Sequence, residues 1–130
     1  FAYARFEMKA LLIEDNLVLA TITKRSLQAL RFSFVDVAHD GEEALGFLSK
    51  QKYDIILVDW MLPKSSGLDI VRCIRASKDH SSTPIIMTTG KNERQDIIKA
   101  LQTGVDAYLV KPISPSLLKE RIDKVLAAAR

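Results

Sequence analysis

Tyr53-Asp54-Ile55-Ile56-Leu57-Val58-Asp59-Trp60-Met61-Leu62-Pro63 is the stretch that decides how the rest of the chain is read. Ile55 to Val58 are consecutive apolar residues, three of them β-branched, and they run into one carboxylate and stop at a proline. So short and so apolar a run reads as a strand buried on both faces, which means a parallel sheet. Such a strand delivers its last side chain to the carboxyl edge of the sheet, where ligands and chemistry sit in open α/β folds. Asp59 is therefore the residue to explain.

Working outward, the same pattern recurs. Ala10-Leu11-Leu12-Ile13 is a first strand ending at Glu14-Asp15, with Asn16 as the N-cap of a helix whose inner face is predicted from Leu19, Ile22, Ala29 and Leu30. Phe34 to Ala38 is a second strand. Asp40 with Glu43 forms a capping box for a helix that points Ala44, Phe47 and Leu48 inward. Ser66-Gly67 opens a third helix, with Ile70, Val71 and Ile74 on its buried side. Pro84 to Gly90 is strand four. The next helix carries Ile97, Ile98 and Leu101 and ends at Gly104. Ala107 to Val110 is strand five, and Ser114-Pro115 caps a last helix presenting Leu118, Ile122, Val125 and Leu126.

Strands alternating with helices give an α/β fold, a doubly wound (βα)5 with a five-stranded parallel sheet. The flavodoxin-like strand order 2-1-3-4-5 puts the switch point between strands one and three, bringing Glu14 and Asp15 beside Asp59. Phe1 to Glu7 has no clear period, so residues 1–8 read as a leader, tag or linker and residues 9–130 as one domain.

Composition sets the bounds. The 130 residues are 48% hydrophobic and 27% charged, with net charge +3, which fits a globular domain. No apolar run is long enough to insert into a membrane and no secretory signal is visible, which suggests a cytoplasmic protein. The single cysteine, Cys73, excludes an internal disulfide and reads as inert packing in a helix. Lys and Arg are spread along helices without clustered aromatics, so direct nucleic-acid binding is not expected. His39 and His80 read as solvated loop residues.

Three carboxylates at one edge repel each other, and a hard divalent cation is the usual remedy. Glu14, Asp15 and Asp59 thus suggest a Mg²⁺ site, which the backbone carbonyl of Met61 could complete. Thr89 offers a hydroxyl donor at the end of strand four. Lys111 offers a cation after strand five, and Lys111-Pro112 is a candidate cis bond. Metal, hydroxyl and lysine together could neutralise the oxygens of a transferring phosphoryl group, with Asp59 as the nucleophile forming an acyl phosphate.

At this point the chain resembles the receiver domain of two-component response regulators, the family of the chemotaxis response regulators. Glu14-Asp15 is similar to the family's metal-binding pair, Asp59 to its phosphoacceptor, and Gly67 to the glycine that begins its third helix. Thr89 and Tyr108 resemble the switch hydroxyl and switch aromatic, and Lys111-Pro112 the active-site lysine with its proline. The resemblance spans about Lys9 to Ala128. It implies that a histidine kinase or histidine phosphotransfer protein donates a phosphoryl group to Asp59 with Mg²⁺. Thr89 is then drawn to the phosphate, Tyr108 turns inward, and the surface of the fourth helix, fifth strand and fifth helix changes affinity for a downstream protein or an attached output domain. It further implies a monomer or a phosphorylation-dependent dimer, and a signalling domain rather than an enzyme that turns over external substrates. Departures are Gly90 where alanine is usual, which would permit close backbone approach, Ser65 where an acid often precedes, and Ile113 where phenylalanine is common. Met61 and Lys91 occupy the two positions that tune acyl-phosphate lifetime in the family.

Rival readings share the topology. A phosphatase with an aspartyl nucleophile wants a second acid two residues on, where Met61 stands. A flavin-type cofactor binder wants a first loop rich in Ser, Thr or Gly, where two acids stand. A module that signals without phosphorylation has no use for the full set of acids, threonine and lysine.

Overall fold

A computed structural model describes residues 8–129. Ten elements alternate: β1 (Met8–Ile13), α1 (Leu17–Leu30), β2 (Phe32–Ala38), α2 (Gly41–Lys50), β3 (Ile55–Asp59), α3 (Gly67–Ala76), β4 (Ile85–Thr89), α4 (Arg94–Thr103), β5 (Ala107–Val110) and α5 (Pro115–Ala128). All strand pairs are parallel and the sheet runs β2-β1-β3-β4-β5, as expected. Residues 1–7 lie outside the described residues, while Met8, assigned to the leader from the sequence, opens β1 opposite Phe32.

The continuous apolar runs are explained by two separate cores. Leu11, Ile13, Ile56, Val58, Ile85 and Met87 point to one face of the sheet, under α2, α3 and α4. Ala10, Leu12, Ile55, Leu57 and Ile86 point to the other, under α1 and α5. Both halves of the pleat meet apolar partners, so no position in β3 tolerates a polar side chain until the strand ends at Asp59.

The expected caps form. Asn16 accepts from Leu19 N at 3.0 Å, Asp40 from Glu43 N at 2.8 Å, Ser66 from Leu68 N at 3.1 Å and Ser114 from Leu117 N at 3.1 Å. Glu43 reciprocates to the backbone N–H of His39 at 2.9 Å, one residue before the cap.

Three burial expectations for helix and loop residues fail. The buried face of α1 is Ala20 and Leu27, with Leu30 partly covered, while Leu19, Ile22 and Ala29 are exposed. Leu17 to Ala20 and Ile22 make the first turns apolar on every side, so the period alone could not select the inner face; the small Ala20 is the residue that lets the helix approach the sheet. His80 is buried, not solvated. Its Nε2 lies 2.9 Å from the Leu48 carbonyl at the end of α2, and Nδ1 has no partner among the described residues. Cys73 is exposed on the outer flank of α3 rather than packed.

Arg75, at the end of α3, is a tie that the sequence did not reveal. Its Nε donates to the Gly104 carbonyl at 2.8 Å, Nη1 to the Thr83 carbonyl at 2.7 Å, and Nη2 to Asp106 at 2.9 Å. Asp106 in turn accepts from Ile85 N at 2.8 Å, so one guanidinium sets where β4 and β5 begin. A lysine keeps the charge but not the planar fork. Arg75→Lys is expected to lower unfolding free energy by about 2 kcal/mol. Urea denaturation reads this, and an unchanged midpoint would show the fork to be dispensable.

Candidate phosphorylation site

Each site residue stands at the carboxyl end of a strand or one or two residues beyond. Glu14 and Asp15 follow β1, Asp59 ends β3, Thr89 ends β4, and Lys111 follows β5. Parallel pairing places β1 and β4 on either side of β3, with Ile13 opposite Val58 and Asp59 opposite Thr88. One carboxylate oxygen from each of Glu14, Asp15 and Asp59 lies within 4.8 Å of the others.

Lys111 binds two of the three acids. Its Nζ is 2.7 Å from Glu14 Oε1 and 3.0 Å from Asp59 Oδ2. Its peptide bond to Pro112 is cis, and its backbone N–H donates to the Thr89 carbonyl at 2.8 Å. The remaining oxygens are held by backbone. Glu14 Oε2 accepts from Asn16 N at 3.2 Å, and Asp59 Oδ1 from Met61 N at 3.2 Å.

Glu14 and Asp59 are buried and Asp15 is exposed. Burial raises the Glu14 carboxyl above the usual range; the Lys111 bond pulls it down and the Asp59 charge pushes it further up. For Lys111, burial lowers the ammonium's proton affinity, but its bonds to Glu14 and Asp59 outweigh this and the group is raised. Three carboxylates face one ammonium, which leaves a surplus of two negative charges. An all-oxygen donor set with that surplus fits a hard divalent cation.

Thr89 is fully buried, and its Oγ1 accepts from Lys91 N at 3.2 Å. Tyr108, expected to turn inward on phosphorylation, is already inside. It is buried, its hydroxyl donates to the Lys91 carbonyl at 2.7 Å, and its ring meets Trp60 edge-on at 6.3 Å. Burial first, and then the charge of Asp96, raise its phenol. Lys91 Nζ sits 5.2 Å from the centre of the Trp60 ring. This cluster of Trp60, Lys91 and Tyr108 was not foreseen. Its signal was the cation two residues after Thr89 and the indole next to Asp59. Gly90 serves no close approach, since a methyl added there would meet open space; Gly67 is the glycine that does.

The fold and this edge of acids, hydroxyl and lysine define a class: doubly wound domains with an acidic site at the carboxyl edge of β1 and β3. The chain belongs to the response regulator receiver domain family, whose model matches residues 10–123. It is 37% identical over 118 residues to chemotaxis protein CheY-3 of Vibrio cholerae, covering 91% of each chain. It is 36% identical to chemotaxis protein CheY of Pseudomonas aeruginosa, covering 91% of this chain and 95% of that one. Among solved structures, the receiver domain of the Pseudomonas aeruginosa sensor histidine kinase PA1611, with a magnesium ion coordinated in its active-site cleft, superposes with a TM-score of 0.84 at 32% identity, covering 92% of this chain and 98% of that one. The chemotaxis response regulator CheY4 of Vibrio cholerae gives 0.85 at 28% identity, covering 91% and 98%. The protein is thus a receiver domain of two-component signalling. No helix among the described residues is long and apolar enough to cross a membrane.

Proposed function

We propose that Asp59 is the phosphoacceptor, and that a histidine kinase or histidine phosphotransfer protein is the donor. The observation that carries this is the Lys111 ammonium shared between Glu14 and Asp59 inside a three-carboxylate cluster. A carboxylate oxygen of Asp59 attacks the phosphorus of phosphohistidine. The O–P bond forms, the N–P bond breaks, and the phosphohistidine ring, protonated on its other nitrogen, leaves as neutral imidazole. Glu14, Asp15, Asp59 and the Met61 carbonyl are the groups to hold Mg²⁺. The ion, when bound, neutralises charge developing on the transferred oxygens. Lys111 orients Asp59 and meets a phosphoryl oxygen, while Thr89 supplies a hydroxyl donor.

A short relay leads outward. Thr89 Oγ1 is bonded to the N–H of Lys91, and the carbonyl of Lys91 to the hydroxyl of Tyr108. Recruitment of Thr89 by a phosphoryl group shifts the Lys91 segment and, through it, Tyr108 and the face of α4, β5 and α5. With Tyr108 already buried, the readout is a change of its hydrogen bond rather than an inward swing. A phosphatase acting on external esters lacks its second acid, because Met61 is exposed and apolar at that position.

Acetyl phosphate tests the reading with a small donor: the phosphoryl passes to Asp59 and acetate leaves. Intact-mass spectrometry is expected to show one phosphoryl group per chain with Mg²⁺ and little without it. Hydroxylamine should remove the group by attacking the acyl carbon. A hydroxylamine-stable adduct, or no adduct with Mg²⁺ present, would sink the assignment, and steady turnover of a phosphomonoester would favour the phosphatase.

A further inference from the structure

We propose that Lys91 is a second, movable cation of this site, held over the Trp60 indole while Asp59 is free and drawn onto the phosphoryl oxygens once Asp59 carries them. The inference rests on Asp59 being the phosphoacceptor.

Lys91 is anchored at both ends of its backbone and free only along its stem. Its N–H is bonded to Thr89 Oγ1 and its carbonyl to the Tyr108 hydroxyl. The first of these partners is the hydroxyl assigned to the phosphoryl group, so the four-methylene stem starts one hydrogen bond from the site. The indole it rests on belongs to the residue directly after Asp59. That indole is buried, pinned edge-on by Tyr108 with an interplanar angle of 89°, and its backbone N–H is tied to the Thr88 carbonyl at 3.2 Å. The ring stays and the lysine can leave.

Charge gives the direction. Lys111 is already shared between two acids before any phosphoryl group arrives. Acylation replaces the single charge of the Asp59 carboxylate with a phosphoryl group of about two charges. Among the described residues, the Lys91 ammonium has no carboxylate partner to break away from; the lysine is itself half-exposed, and its contact is with the Trp60 ring. A charge-assisted bond to a phosphoryl oxygen outweighs such a contact.

The parked state has a direct signature. The ε-methylene protons of Lys91 lie in the ring current of the chain's single tryptophan. In protein with carbon-13-labelled lysine, one ε-methylene resonance is expected upfield of the rest, assigned by its loss in Lys91→Met. With acetyl phosphate and Mg²⁺ it should move to the ordinary lysine position. Affinity for beryllium trifluoride, an inorganic phosphoryl mimic, should fall roughly three- to tenfold in Lys91→Met and recover in Lys91→Arg. An upfield resonance that persists in protein shown by mass to be phosphorylated overturns the transfer, as does equal affinity of wild type and Lys91→Met for the mimic. A wild type that gains no mass overturns the phosphoacceptor assignment itself, so the two failures are told apart in one sample.

Discussion

Asp59→Asn is expected to take up no phosphoryl group from acetyl phosphate and to unfold at a urea concentration no lower than wild type. An amide cannot form the acyl phosphate, so the chemical loss is complete. The stability result follows from the crowding. Glu14 and Asp59 are both buried and share one ammonium, and burial together with the Asp59 charge raises the Glu14 carboxyl against the pull of Lys111. Asparagine removes one of the two charges and keeps a single oxygen, which can accept from the Met61 N–H or from Lys111 but not both, while the 2.7 Å bond from Lys111 to Glu14 is kept. Lys111→Met is the opposite case. It leaves two buried carboxylates facing each other without their cation, at a cost of about 2–4 kcal/mol after allowance for the partial exposure of the lysine. Its rate of labelling should fall roughly a hundredfold or more, as when one preorganised donor is removed from a site of developing charge. Labelling of Asp59→Asn at the wild-type rate, or a lower urea midpoint for it than for Lys111→Met, contradicts this account.

How far the sequence could be read depended on whether a residue's partners were set by the backbone. The apolar runs at 10–13, 55–58 and 85–87 left no face for solvent, and the acids, threonine and lysine at the strand ends followed from strand order alone. That is why Glu14, Asp15, Asp59 and Lys111 are found together. Side chains that reach across the fold were not legible. His80 looks like a loop residue in sequence, yet its ring finds the Leu48 carbonyl 32 residues away. Arg75 is one of several basic residues in its segment, and only the folded chain brings Gly104, Thr83 and Asp106 to it. The inner face of α1 was misread because its apolar residues wrap the helix, and the tie between Lys91 and Trp60 needs two loops to meet. Strand ends are a property of topology; these contacts are a property of packing.

Gly67→Ala is expected to destabilise the domain by about 3 kcal/mol or more and to slow labelling of Asp59. Gly67 is the first residue of α3, and its N–H donates to the Trp60 carbonyl at 2.8 Å, so the loop after β3 folds back on the strand's own end. A methyl at Gly67 would overlap the Asp59 carbonyl oxygen and lie 3.0 Å from both the Asp59 carbonyl carbon and Trp60 Cα. All three are main-chain atoms, so no rotamer change relieves the clash. Either α3 lifts off or the Asp59 peptide turns, and the second option pulls the carboxylate away from Lys111. The requirement is for space and not for an unusual backbone angle, which makes other glycines good controls. Gly90 and Gly46 have open space where the methyl would go. Gly90→Ala should stay within about 0.5 kcal/mol of wild type. Gly46→Ala, inside α2, should gain about 0.5–1 kcal/mol from helix propensity. Urea midpoints order the three variants. The labelling rate of Gly67→Ala is then measured in the absence of urea, where the folded fraction is known from the same curves. If Gly67→Ala matches Gly90→Ala in both, the close approach of α3 to Asp59 does not hold the acceptor in place.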